Sequence, residues 1–134
     1  CQKSLEGYLE QKRNKFPRFY FVSNPVLLLI LSQGSDPLQM QPYYEKVFDS
    51  ISQVVHDKGD KTLIKQIKSI SGTDVEVIPL NQDVKAVGNI EDWLRALEDR
   101  MQKSMKALCE TAAATCGGPL REFVDAQCGQ FALL

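Results

Sequence analysis

Nine residues constrain this chain more than any others: Phe16-Pro17-Arg18-Phe19-Tyr20-Phe21-Val22-Ser23-Asn24. Pro17 lacks an N–H and restricts the residue before it, so a helix arriving from the N-terminal side cannot run on through this point. Aromatic and β-branched residues then favour a short extended segment, in which alternation turns Phe19 and Phe21 to one side and Tyr20 to the other. Asn24 and Pro25 read as a helix cap followed by proline at the first helical position. The expectation is an apolar extended connector held between two helices, with most of its aromatics in the core.

The flanks fit. Gln2 to Asn14 reads as an amphipathic helix with Leu5, Tyr8, Leu9 and Lys12 on one stripe, the lysine stem covering apolar surface. Lys12, Arg13 and Lys15 then complement the helix dipole at a solvated end; the alternative for such a cluster is an anion site. Pro25 to Gln33 is apolar nearly all round and should be buried on most sides, with Gly34 ending it. Asp36-Pro37 restarts a helix and Pro42 interrupts it. Tyr43 to Ser52 carries Tyr44, Val47, Phe48 and Ile51 on one face.

The middle of the chain reads as sheet. Ile67–Ile70 and Val75–Ile78 form a hairpin about the turn Ser71-Gly72-Thr73-Asp74, with Val54–His56 as a possible third strand and Pro79 at a strand end or edge. Asn89 to about Ala114 is the longest element. Asn89 caps it, and Ile90, Trp93, Leu94, Leu97, Met101, Met105, Leu108 and Ala112 make a nearly continuous stripe. Glu91 with Arg95, and Asp99 with Lys103, are spaced to pair on its exposed face. Gly117-Gly118-Pro119 stops it and starts a further helix carrying Leu120, Phe123 and Val124. The fold class is therefore α+β and mostly α-helical: a helix bundle with a long helix in the C-terminal half and a small antiparallel hairpin or three-stranded sheet.

Composition and motifs exclude several chemistries. A net charge of −1 argues against a nucleic-acid partner. No signal peptide is visible, and the apolar run Val26 to Leu31 is far shorter than the roughly 20 residues of a membrane span. Cys1, Cys109, Cys116 and Cys128 form no Cys-x-x-Cys pair and there is one histidine, His56, so a zinc site is not expected and reduced thiols are the simpler reading. Asp57 and Asp60 flank Gly59 without the spacing or closing glutamate of a calcium loop. No glycine-rich Gly-Lys-Ser/Thr loop exists to cradle phosphates. His56 reads as a solvated strand residue and not a base. The chain itself is expected to be no enzyme, with no catalytic, cofactor or metal residues. It opens without methionine inside a helical pattern and closes on Phe131-Ala132-Leu133-Leu134, so it is expected to be a piece of a longer polypeptide.

The order of these features resembles the linker region of dynein heavy chains. The resemblance rests on Gln11-Lys12-Arg13, then Lys15 through Asn24, then Leu27-Leu28-Leu29-Ile30-Leu31-Ser32-Gln33. Val47-Phe48-Asp49-Ser50-Ile51 and Gly88-Asn89-Ile90-Glu91-Asp92-Trp93-Leu94 support it, and the opening Cys1-Gln2-Lys3-Ser4-Leu5 looks more like the axonemal branch than the cytoplasmic one. Residues 1–134 would then be one module from the C-terminal half of the linker, ahead of the first AAA+ module. The resemblance implies a mechanical part of a microtubule motor, located in the cytoplasm and cytoskeleton and, for the axonemal type, in a cilium or flagellum. Its partners would be the neighbouring linker subdomains and the AAA+ ring of the same chain, with the microtubule reached only through the parent motor. ATP and magnesium would sit in the AAA+ modules and none in this segment. The structural positions it marks are Phe16, Pro17, Arg18, Phe19, Tyr20, Phe21, Asn24, Pro25, Asn89, Trp93 and Leu94. Cys109 to Cys128 departs from the family pattern, so no contact residues are assigned there. The competing reading is a generic small α+β interaction module of another large scaffold; a P-loop downstream would separate the two.

Overall fold

The computed structural model describes residues 2–71 and 74–117. The helix expected from Pro119 onward, with Leu120, Phe123 and Val124, lies outside the described residues, as do Gly72 and Thr73 of the hairpin turn and Cys1 and Cys128. Four helices, α1 (Gln2–Lys15), α2 (Asn24–Gln33), α3 (Tyr44–Val47) and α4 (Ile90–Thr115), accompany three strands, β1 (Gln53–His56), β2 (Leu63–Ser71) and β3 (Asp74–Lys85). The strands form one antiparallel sheet in the order β1-β2-β3. The class is the expected one: α+β and mostly helical.

Helix α4 lies along the sheet, packed on β3. Its 26 residues span about 39 Å at 1.5 Å each. Ile90, Trp93, Leu94, Leu97, Met101 and Ala112 are buried, as the stripe requires, while Met105 is exposed and Leu108 only partly covered. Across from them sit Ile64, Ile67, Ile78, Leu80 and Val84, in one core with Phe16, Phe19, Leu27, Ile30 and Tyr44.

The hairpin register pairs Ile67 with Ile78 and Ile70 with Val75, as the expected strand bounds require, but Val75 and Val77 face out and Glu76 lies on the face of Ile78. Both strands run on further than expected, because the ladder resumes after a shift: Gln66 faces Pro79, and Ile64 faces Val84. Pro79 is thus at an irregularity of an edge strand, and not at a strand end, where its missing donor costs no ladder bond. Just beyond it, the freed N–H of Asn81 donates to Ser104 Oγ of α4 at 2.9 Å. Val54–His56 is the third strand, and His56 is half-buried instead of solvated; burial holds its imidazole below the usual 6.5.

Several helix expectations change. Helix α2 buries one face only, through Leu27 and Ile30, leaving Leu28 and Leu29 exposed. On α1 only Leu9 is buried; Leu5 and Tyr8 are exposed, because the N-terminal turns run past the body of the module. The helix expected over Tyr43 to Ser52 shrinks to one turn, since Phe48 is extended at φ −121° and ψ 121°. Its apolar set still works: Tyr44, Val47 and Phe48 are buried. Gly34 closes α2 at φ −62°, so left-handed freedom is not its role. A Cβ there would meet Ile90 Cβ at 2.9 Å, so glycine is what lets α2 approach the start of α4.

Candidate functional site

The aromatic stretch is not extended. Pro17–Phe21 is a 3-10 turn, with the Phe19 N–H donating to the Phe16 carbonyl and Val22 to Phe19. Proline's fixed φ suits the first residue of such a turn, so Pro17 starts a helix of another kind and does not enforce a strand. The period becomes three. Phe16, Phe19 and Val22 fall on one side and are buried, whereas Tyr20 and Phe21 are 54% and 77% exposed. The expected pairing of Phe19 with Phe21 is therefore wrong, and Phe21 faces out. Phe16 packs edge-on to Phe19 at 4.9 Å between centroids and contacts Phe48 at 6.2 Å.

Arg13 holds the turn in place. Its guanidinium donates to the carbonyls of Phe19 and Val22, each at 3.3 Å, and to Asn24 Oδ1 at 2.6 Å. The Phe19 carbonyl also accepts the Val22 N–H, so the guanidinium ties the end of the 3-10 turn to the start of α2. Asn24 is thus an acceptor inside α2 and not its cap; Ser23 holds the cap position, and Pro25 is second in the helix. The Tyr20 hydroxyl reaches Glu10 Oε1 at 2.7 Å and Asn14 Oδ1 at 3.1 Å, so that ring closes back over α1 from outside.

The basic run at the end of α1 meets an anion from the other half of the chain. Lys12 Nζ lies 2.6 Å from Glu91 Oε1 and Lys15 Nζ 3.4 Å from the same atom. The Glu91 side chain is 1% exposed and Lys12 17%. One turn beyond, Arg18 Nε bonds Glu98 Oε1 at 2.7 Å with its guanidinium 5.1 Å from the Phe48 ring centroid. Glu91 and Glu98 are two turns apart on α4, and Lys12, Lys15 and Arg18 follow at three-residue intervals, so the two rows of charge run side by side as a seam. Glu91 is therefore no partner of Arg95 on an exposed face; only the Asp99–Lys103 pair forms as spacing predicts, at 2.7 Å. Nor is the end of α1 simply solvated.

Burial alone would push the Glu91 carboxyl up. The hydrogen bond and charge of Lys12, its own backbone N–H and Lys15 outweigh this and hold it below the usual 4.5. The hydrogen bond to Glu91 holds Lys12 above 10.5 against its own desolvation. Both groups stay charged in the folded protein. Glu91 also sits in the first turn of α4, where the helix dipole favours an anion. Two buried atoms beside the seam, Glu91 Oε2 and Trp93 Nε1, have no hydrogen-bond partner among the described residues.

Asn89 caps α4 by its backbone, accepting from Asp92 at 3.1 Å and Trp93 at 3.3 Å. Its side chain makes no cap bond and donates instead to Asp92 Oδ2 at 3.2 Å. Gly88 precedes it at φ +90°, a conformation that L side chains rarely adopt. Trp93 and Leu94 are buried one turn on. The structure thus brings Phe16, Arg18, Phe19, Glu91, Trp93 and Leu94 into one joint, while Tyr20, Phe21 and Pro25 lie to its outside. Sequence reasoning puts Lys12 and Arg13 at a helix end, with an anion site as the alternative, and sets Glu91 against Arg95; it does not bring Glu91 to Lys12 or Arg13 to the turn. The signal for the seam was the basic row at three-residue spacing and two glutamates, seven apart, on the edge of the apolar stripe.

No cluster of three or more metal-ligating side chains occurs among the described residues. No helix there is long and apolar enough to cross a membrane. The geometry at α1, the aromatic turn and the root of α4 is that of a structural joint.

Comparison with known proteins shows the family of the chain. Residues 1–112 match the family described as dynein heavy chain, N-terminal region 2. The chain is 45% identical to dynein axonemal heavy chain 5 of Mus musculus, aligned over 100% of its length and 3% of the relative. It is 40% identical to the dynein gamma chain, flagellar outer arm, of Chlamydomonas reinhardtii, with the same two shares, 100% and 3%. Against cytoplasmic dynein 2 heavy chain 1 of Caenorhabditis elegans it is 37% identical over 92% of this chain and 3% of that one. The chain thus spans a few hundredths of the length of the relatives it matches, and by the match over residues 1–112 it belongs to the dynein heavy chain family, in the N-terminal region.

Proposed function

We propose that this module is a segment of the mechanical linker of a dynein microtubule motor, from the C-terminal half of that linker and ahead of the first AAA+ module. There it passes ATP-driven change in the ring of the same polypeptide into force on the filament. It carries strain and binds no nucleotide, ATP and magnesium belonging to AAA+ modules elsewhere in the parent chain. Its contacts are with neighbouring linker subdomains and the ring. The names of two relatives, an axonemal heavy chain and a flagellar outer-arm chain, support an axonemal setting in a cilium or flagellum.

The buried Lys12–Glu91 pair is the observation that carries this reading. It ties the first helix to the root of a helix about 39 Å long, at the point where Trp93 enters the core. A lever does work only if it deforms less than its hinge, and a long helix fixed at its root and backed by a sheet meets that need.

The test is Trp93→Ala in a full-length motor that carries this module. Microtubule gliding velocity should fall while basal ATP hydrolysis largely persists, because the nucleotide site lies elsewhere. The comparison uses protein whose linker is folded by limited proteolysis. Wild-type velocity in such a motor would reduce the segment to passive scaffold.

A further inference from the structure

Strand β1 lies at one edge of the sheet, with only β2 beside it among the described residues. It is short, and its register shifts between Val55 and His56. Yet the run Gln53-Val54-Val55 carries no charge, proline or glycine to oppose a further strand. The opposite edge is closed by other means: Pro79 of β3 offers no N–H, and the Asn81 N–H is taken by Ser104 Oγ at 2.9 Å.

At the β1 edge a side chain stands where a strand would. The Val54 N–H donates to Gln41 Oε1 at 3.1 Å, and the Val54 carbonyl accepts from Gln41 Nε2 at 2.9 Å. Facing residues of an antiparallel ladder exchange the same two bonds, so the Gln41 amide does what one residue of a fourth strand would do. A further strand would have to run about 4.8 Å from β1, in the space this amide fills. Seating the turn does not need the two bonds. Gln41 begins the 3-10 turn Gln41–Tyr43, and its neighbours on either side of that turn, Met40 and Tyr44, are fully buried.

We propose that Gln41 is a strand surrogate: its amide holds the place beside β1 and keeps two copies of this module from pairing edge to edge. The pairing it prevents is antiparallel and two-fold, β1 against β1 of a second copy. Such a pair sets uncharged, β-branched segments side by side and needs only main-chain bonds, so nothing else in the strand would resist it. Val54 is the residue whose outer N–H and carbonyl would seed that ladder, and it is the residue Gln41 occupies. The proposal does not rest on the lever role.

The test uses full-length heavy chains carrying this module, with a photo-crosslinking amino acid in place of Gln53, which is exposed on β1. Chains grown with light and heavy isotopes are mixed, so that mass spectrometry separates crosslinks between copies from those within one. The wild-type chain should give only background crosslinking of β1 to β1 between copies. Gln41→Ala should raise it about tenfold or more, since two main-chain groups per copy become free for the pair. Gln41→Lys loses the same two hydrogen bonds but sets a like charge on each copy at the edge, so it should stay at background. A rise in both variants would mean that the fold had merely loosened, and would overturn the proposal. So would β1-to-β1 crosslinking already present in the wild type, no rise with Gln41→Ala, a rise scattered over many segments, or a dominant crosslink to another segment of the same chain.

Discussion

Replacing Glu91 by glutamine tests the joint most directly. The change keeps the shape of the side chain and removes its charge. Lys12, with 17% of its side chain exposed, then faces a neutral amide. Removing one partner of a buried pair costs about 3–5 kcal/mol, since the other charge stays behind. The flexible lysine stem can tilt its ammonium toward water, which places Glu91→Gln near the lower end, about 3 kcal/mol. Lys12→Met is milder, about 2 kcal/mol, because Lys15 already stands 3.4 Å from the same oxygen and can close in. Taking both out, as Lys12→Met with Glu91→Leu, should return stability to near the wild-type value, because no orphan charge is left. With Glu91→Leu as the matching single variant, the double-mutant cycle should therefore show strong coupling. Urea titration is the assay, and with slopes of about 1–3 kcal/mol per molar the single variant should move its midpoint by 1 M or more.

The same pair sets a pH window. Glu91 titrates below its ordinary 4.5 when folded, so its contribution is present above that value and is lost as pH falls through the lowered one. Lys12 titrates above 10.5, so its contribution is full below that value and is lost as pH rises through the raised one. Between those limits this contribution should be flat, and Glu91→Gln should have a shallower acid limb than wild type. A midpoint shift equivalent to under about 1 kcal/mol, with an unchanged acid limb, would refute the reasoning. The seam would then be worth no more than a surface pair.

Three further outcomes follow from the packing. Phe19→Ala should cost about 3–5 kcal/mol in chemical denaturation and Phe21→Ala within about 0.5, since the first is buried and the second 77% exposed; equal losses would restore the extended reading. Gly34→Ala should cost about 1–3 kcal/mol by the same measurement, because its Cβ would sit 2.9 Å from Ile90 Cβ and α2 would have to shift. Calorimetry with ATP or GTP should show no saturable binding up to about 1 mM, the upper range for enzyme substrates, and a binding isotherm would contradict the purely mechanical reading.

What could be read from sequence was what depends on neighbours in the chain. The stripe of α4, the pairing of β2 with β3 and a helix starting next to Pro25 all express local periodicity or a proline, and all three formed, although Ser23 and not Asn24 takes the cap position. The aromatic turn misled for a local reason too. Pro17 is compatible with both an extended start and a 3-10 start, and the 3-10 turn is the one that puts Phe16, Phe19 and Val22 together in the core, with the Arg13 guanidinium on the Phe19 and Val22 carbonyls. Glu91 was illegible for a different reason. Its partner is 79 residues away, and a glutamate in the first turn of a helix has a sufficient local explanation in the dipole and in Arg95 four residues on. Gly34 shows the same limit: its position after a helix suggests a cap, while its cause is a side chain 56 positions later. Leu28 and Leu29 read as buried because composition carries no record of which face is covered.

The seam and the apolar stripe do different work in holding α4. Apolar contact is non-directional, so α4 could slide along the sheet by one turn, about 5.4 Å, and still bury most of its stripe. Packed elements do switch between registers one turn apart. The charges are less permissive. The same slip would carry Glu91 out of reach of Lys12 and strand a carboxylate that is 1% exposed, a cost well above that of exposing a methylene or two. Arg18 would lose Glu98 at the same moment, because both glutamates ride on one helix. Ser104 adds a third stop from the other side, through the Asn81 N–H at 2.9 Å. Polar contacts at two separate points of α4, Glu91 with Glu98 near its root and Ser104 two to four turns on, therefore fix its position along the sheet, while the apolar stripe supplies the adhesion. For a segment proposed to pass strain along its length, resistance to axial slip is the property that matters, and in this fold it resides in three side chains of α4 and not in the bulk of its core.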